Sequence, residues 1–273
     1  SAASDVYKRQ LLKRELSPRG ELSGNITLMG KDRSELSDRE SAEKIGFVMQ
    51  SPDSQTVCDK VSAELAFGLE SFGVKSGEIQ SRVGEMAAFF GIESLYDRDI
   101  STLSGGQKQL VALCSVMATD PDILLLDEPT AQLDPVAARE LLGILDRLNK
   151  EMGVTIIIAE HDPEELFDSC DKILYLANGK TEFFGTPTLT AKYFVKNALE
   201  GFLPETAKAF ARLCDDLPLN VRQGRAKFEK LGVTDIPKQA VTDTERVEPY
   251  ALQCKNLWQS CLLYTSPSPR DTR

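Results

Sequence analysis

Two short apolar runs set the fold class: ILLL at 123–126 and VTIIIA at 154–159. Each is too short for a buried helix, and uninterrupted apolarity marks a strand covered on both faces rather than one with a wet side. Between them, Leu141, Leu142, Leu145 and Leu148 recur at helical spacing. That helix is opened by Asp134 as N-cap and Pro135 in the first turn, and it runs to about Met152. Strand, helix and strand in this order predict an α/β domain with a mainly parallel sheet and flanking helices. Asn25–Met29 and Ile45–Gln50 read as further strands, and Asn178–Gly179 between two alternating runs reads as a hairpin turn. From Thr56 to Ile100 the pattern is helical, each stretch ending in a glycine suited to a C-cap. Ser104 opens another helix with Leu110, Val111, Leu113, Cys114 and Met117 on its apolar face.

Charge and composition narrow the class. The formal net charge is −10, which argues against a nucleic-acid binder working through a broad basic surface. No apolar run approaches the roughly 20 residues of a membrane-spanning helix. The six cysteines (58, 114, 170, 214, 254, 261) form no CxxC pair and read as reduced, mainly buried thiols. His161 is the one histidine, which excludes a multi-histidine metal cluster.

Four segments carry potential chemistry. ILLLDEP (123–129) delivers two adjacent carboxylates at the end of a buried strand, the edge where open α/β sheets bind ligands. Asp127 suits a magnesium ion bearing nucleotide phosphates, and Glu128 an attacking water. Acids also commonly cap strand ends, so the pair alone is ambiguous. In LSGGQKQ (103–109), Ser104, Gly105 and Gly106 precede a helix N-terminus, which presents N–H groups to an anion. A plain serine N-cap is the bland alternative; it leaves Gln107 and Gln109 unexplained. AEHD (159–162) places His161 at the end of the second buried strand, and FVMQSPDSQ (47–55) ends a strand at Gln50, whose amide could reach metal or phosphate.

In this order and spacing, the four segments resemble the ATP-binding subunit of ABC transporters over about residues 20–195. LSGGQKQ looks like the family signature, ILLLDE like Walker B, TAQLD (130–134) like the D-loop and AEHD like the switch histidine. QSPDSQ, ELAFGLESFGV and PTAQLDP are similar to the energy-coupling factor group, which imports vitamins or transition-metal ions. The resemblance implies a P-loop NTPase-like ABC ATPase domain at 11–195 with an inserted α-helical subdomain at about 56–118. It implies ATP and Mg2+ as cofactors, with Glu128 as general base, His161 as γ-phosphate switch and Gln50 contacting metal and water. Asp127 would hold magnesium. Ser104, Gly105, Gly106 and Gln107 would bind ATP held by an opposing subunit, and Asp134 would communicate across the dimer. Its implied partners are a second ABC ATPase domain and a transmembrane coupling subunit, with no nucleic acid. Its implied location is the cytoplasmic face of a bacterial or archaeal membrane.

The family's phosphate loop, GxxxxGK[ST], is not in the sequence. In the nearest stretch, GNITLMGKD (24–32), the glycines are one residue too far apart, and Asp32 stands where Ser or Thr is needed. The expectation is an amino-terminally truncated domain that binds ATP feebly. Residues 1–10 and 261–273 read as non-native scars, or else as ordinary termini. Residues 196–248 read as a helical extension, and 249–260 as the opening of a second ABC domain or a stray strand. A soluble ABC ATPase of DNA repair is disfavoured, because 51–103 is too short for a coiled-coil insertion. A ribosome-associated factor is disfavoured by the acidic charge.

Overall fold

The structure is a computed structural model describing residues 24–28, 30–161 and 163–230. Residues 1–10 and 261–273, expected to be scars, residues 249–260, expected to open a second domain, and the end of the expected extension beyond 230 lie outside the described residues, as do Met29 and Asp162.

A short antiparallel hairpin, β1 (Thr27–Leu28) with β2 (Lys31–Asp32), opens the described chain. Helix α1 (Asp38–Lys44) follows, its N-terminus closed by a capping box between Ser37 and Glu40. The centre is a parallel sheet in the order β3 (Ile45–Val48), β4 (Ile123–Asp127), β5 (Thr155–Ala159). Its register sets Gly46 beside Leu124, and Asp127 beside Ala159. Alternation decides what each strand faces. Val48, Leu124 and Leu126 join the main core, whereas Ile45 and Leu125 pack with Leu28.

Between β3 and β4 the chain builds its helical part. A short helix, α2 (Pro52–Gln55), leads to α3 (Val61–Ser71) and α4 (Ser76–Phe90), the latter ending on Gly91 in the left-handed region at φ 68°. Helix α5 (Gly105–Met117) packs against α3, α4 and β3 and contributes Val111, Leu113, Cys114 and Met117 to the core. A Cβ on Gly46 would sit 2.5 Å from Val116 Cγ1, so the glycine is what allows α5 to lie this close to β3. Buried Glu64 accepts from the N–H groups of Val57 and Cys58 at 3.0 and 2.9 Å and so shapes the loop before α3.

After β4, α6 (Pro135–Met152) buries Leu141, Leu145 and Leu148. The hairpin of β6 (Ile173–Ala177) and β7 (Lys180–Gly185) turns at Asn178 and Gly179, both at positive φ as the type I′ turn requires. Helices α7 (Pro187–Lys196), α8 (Glu205–Phe210) and α9 (Val221–Lys230) close a second, aromatic core around Phe167, Phe194 and Phe210. None of the helices among the described residues is long and apolar enough to cross a membrane.

Two expectations need correction. The second apolar run is not fully buried: Ile157 is 48% exposed, because it shares the face of Leu125, where the small cluster around Leu28 and Ile45 covers β3 and β4 and does not extend over β5. The cysteines are free where described, but only Cys114 is buried; Cys58, Cys170 and Cys214 are half-exposed. Burial pushes the Cys114 thiol up to about 12, which makes it inert.

Helix capping carries a pH dependence. The Asp134 carboxylate accepts from the N–H groups of Ala137 and Val136, in that order of effect, and these hold its pKa below the ordinary 3.8. A depressed folded pKa contributes stability that is present above the unfolded value and is lost as pH falls through the folded one. Asp134→Asn keeps a capping acceptor that does not titrate. The drop in melting temperature between pH 7 and about pH 3 is therefore expected to be smaller in the variant than in the wild type. An unchanged drop would show that the cap does not titrate with folding.

Candidate functional site

Parallel strands end at the same sheet edge, so residues far apart in sequence meet there. Gln50 stands two residues beyond β3, Glu128 one beyond β4 and His161 two beyond β5. Gln50 Nε2 donates to Glu128 Oε2 at 2.7 Å, and His161 Nε2 lies 2.8 Å from Glu128 Oε1. The Glu128 side chain is 14% exposed and His161 58%, so the carboxylate is set into the edge beneath a solvent-facing imidazole.

The backbone explains the aim. Glu128 has φ 46°, an uncommon region for a residue with a Cβ and one that costs about 1–3 kcal/mol. Its N–H is anchored on Ala159 O of β5 at 2.9 Å, and its carbonyl accepts from Ala131 N at 3.2 Å. This kink turns the chain out of β4 and directs the side chain along the edge. Asp127, the last residue of β4, is 8% exposed. Glu160, which was not singled out from sequence, holds the loop from the other side. Its Oε1 accepts from Thr130 N at 3.1 Å and from Thr130 Oγ1 at 2.6 Å, tying the end of β5 to the chain leaving Glu128.

The other expected site residues lie at the start of α5 and α6. Ser104 is the N-cap of α5 and accepts from Gln107 N at 3.3 Å, while Gln107 Oε1 accepts from Ser104 N at 3.0 Å. This corrects the argument that a plain cap leaves Gln107 unexplained: the side chain completes a capping box. Gln109 is buried, with its Nε2 unpaired in the structure. Gly105 is exposed and Gly106 half-buried, and a Cβ on Gly106 would lie 3.2 Å from Ala137 Cβ, so its bareness lets the two helix starts pack. Ser104, Gly106, Gln107, Leu133 and Ala137 line a cavity of about 120 Å³ between them. The Asp134 carboxylate is exposed and committed to capping α6.

Oxygen donors dominate the edge, a hard set suited to magnesium. No three His, Cys, Asp or Glu residues converge as a protein-only metal cage among the described residues. Asp127 and the Gln50 amide oxygen have the fitting chemistry.

Residues 10–131 match the family described as ABC transporter. A Bacillus thuringiensis protein described as an ABC transporter ATP-binding protein is 38% identical over 238 residues, covering 86% of this chain and 43% of its own length. The chain thus spans less than half the length of this and other curated relatives it matches. A Methanosarcina acetivorans protein of the same description is 32% identical, covering 78% of this chain and 67% of its own length. Among solved structures, CbiO1 from Clostridium perfringens, part of the ABC transporter complex CbiONQ, aligns with a TM-score of 0.59 at 32% identity, covering 75% of this chain and 76% of its own. A dimeric ATP-binding cassette in a post-hydrolysis state, bound to ADP and Pi, aligns with a TM-score of 0.52 at 26% identity, covering 60% and 74%. The parallel sheet with flanking helices is accordingly the P-loop NTPase-like fold of ABC ATPase domains, and the chain belongs to the ABC transporter ATP-binding family.

Proposed function

We propose that this chain is part of the ATP-hydrolysing motor subunit of an energy-coupling factor importer, which drives uptake of a vitamin or metal ion through a membrane partner. The observation that carries the ATPase reading is the convergence of Gln50 and His161 on the two oxygens of Glu128 at one sheet edge. The importer subgroup rests on the resemblance of 50–74 and 129–135 and on the likeness to CbiO1.

The chemistry follows from positions. Glu128 serves as general base: it takes a proton from water as that water attacks the γ-phosphorus in line, and ADP departs. Both Glu128 oxygens are engaged by Gln50 and His161 in the arrangement seen, so one contact must yield for the water to enter. Gln50 then orients the water, and His161 turns toward the γ-phosphate whose charge grows in the transition state. Asp127 and Gln50 would hold Mg2+, which when bound neutralises the phosphate charge. The N-terminus of α5, with Ser104, Gly105, Gly106 and Gln107, would close on ATP bound by a second ABC domain. Asp134, capping α6 beside that helix start, would report closure to the other site. The helical stretch from Thr56 to Ile100 would form the arm that docks the transmembrane subunit at the cytoplasmic face.

Expression beside a hydrophobic membrane subunit of an importer tests the assignment. Co-purification with that subunit is the expected result, with less than a tenth as much recovered on ribosomes or DNA. Recovery on ribosomes or DNA instead would overturn the transport reading in favour of a soluble ABC ATPase.

A further inference from the structure

The segment bearing Gln50 is closed by a residue that the catalytic reading leaves without a role. Gln55 Oε1 accepts from Met49 N at 2.9 Å, and Gln55 Nε2 donates to Phe47 O at 3.2 Å. In a parallel ladder, a residue on one strand accepts from and donates to residues two apart on its neighbour. The Gln55 amide reproduces that pattern, standing opposite Val48 on the side of β3 that does not face β4. One side chain therefore replaces a peptide group of an adjoining strand and cinches the loop between Met49 and Gln55.

Within that loop, further contacts fix the chain. Pro52 is buried at the start of α2, and its carbonyl accepts from Thr56 N and Oγ1 at 3.0 and 2.9 Å. Lys108 of α5 reaches Asp53 at 2.6 Å. Gln50 is the first residue beyond the clamped Met49. Its own side chain is exposed, and the long rotamer that reaches Glu128 is entropically costly unless the backbone beneath it is fixed.

We propose that Gln55 is a positioning residue for Gln50: by holding the end of β3, it keeps the Gln50 amide on Glu128. This rests on reading Gln50, Glu128 and His161 as one site. The single histidine gives a direct probe, because its ring sits on the same carboxylate. In the chain as it stands, the His161 ring signals are followed by NMR at constant pH in wild type, Gln50→Ala, Gln55→Ala and Gln55→Glu. Gln50→Ala is expected to move the signals. Gln55→Ala should move them in the same direction by at least half as much, although the hydrogen bonds of the Gln55 amide go to Met49 and Phe47 and not to the imidazole. Gln55→Glu keeps the acceptor for Met49 N but cannot donate to Phe47 O, and should give a smaller shift of the same sign.

If Gln50→Ala moves the signals while both Gln55 variants leave them in place, the positioning role is overturned and the site reading stands. If Gln50→Ala itself leaves them in place, the site reading fails and the proposal with it. Should Gln55→Ala unfold, as a collapsed amide spectrum would reveal, the folded Gln55→Glu variant decides by the same criterion.

Discussion

Titrated with magnesium-ATP in a calorimeter, the chain binds with a Kd of about 1 mM or weaker, a free energy of only about −4 kcal/mol. The expectation follows from what the sequence contains. A phosphate loop supplies a row of backbone N–H groups and a lysine to the β- and γ-phosphates. Hydrogen bonds to charged groups contribute about 1.5–3 kcal/mol each, so three of them amount to roughly 5 kcal/mol or more, some three to four decades in affinity. GNITLMGKD does not replace that loop. In the structure, Thr27–Leu28 and Lys31–Asp32 pair as β1 and β2, with Asp32 capping a turn through Ser34 rather than serving a phosphate. What the chain does offer, Gln50, Asp127, Glu128 and His161, addresses the γ-phosphate end and the metal, and two of these are anionic. Without the loop they add repulsion toward a triphosphate. Micromolar affinity for magnesium-ATP would mean that the described edge binds nucleotide without such a loop.

How much of this was legible in the sequence depends on the kind of signal. The meeting of Gln50, Glu128 and His161 follows from topology alone, since parallel strands end at one edge and each residue stands just past an apolar run. Asp134–Pro135 and Asn178–Gly179 were readable because caps and tight turns demand particular residues at particular places. Side chains bonding to backbone leave no periodic trace, so the roles of Gln55, Glu160 and Glu64 are not legible in the sequence. The Gln107 capping box is legible in the spacing of Ser104 and Gln107, which the resemblance assigns to phosphate binding instead. Burial was legible only in part. The runs at 123–126 and 154–159 look alike in composition, and nothing within either says how many neighbours it will have.

That last difference yields the sharpest stability contrast. Leu124 is fully buried in the central strand, beside Gly46 in β3 and Ile156 in β5. Its Cδ1 lies 3.3 Å from where a Gly46 Cβ would stand, in the region where Val116 of α5 also presses against β3. Leu124→Ala removes buried methyl groups from a site walled by strands on both sides, which leaves little room to collapse into the gap. A loss of about 2–5 kcal/mol is expected. Against a total of roughly 5–15 kcal/mol, that lowers the urea midpoint by about 1–3 M. Ile157→Ala makes a change of the same kind in β5, at a side chain 48% exposed, and should cost less than about 1 kcal/mol. Urea unfolding followed by circular dichroism on both variants measures the ratio. Equal losses would place Ile157 in a core as tight as that around Leu124, and the open face of β5 would then be covered in solution.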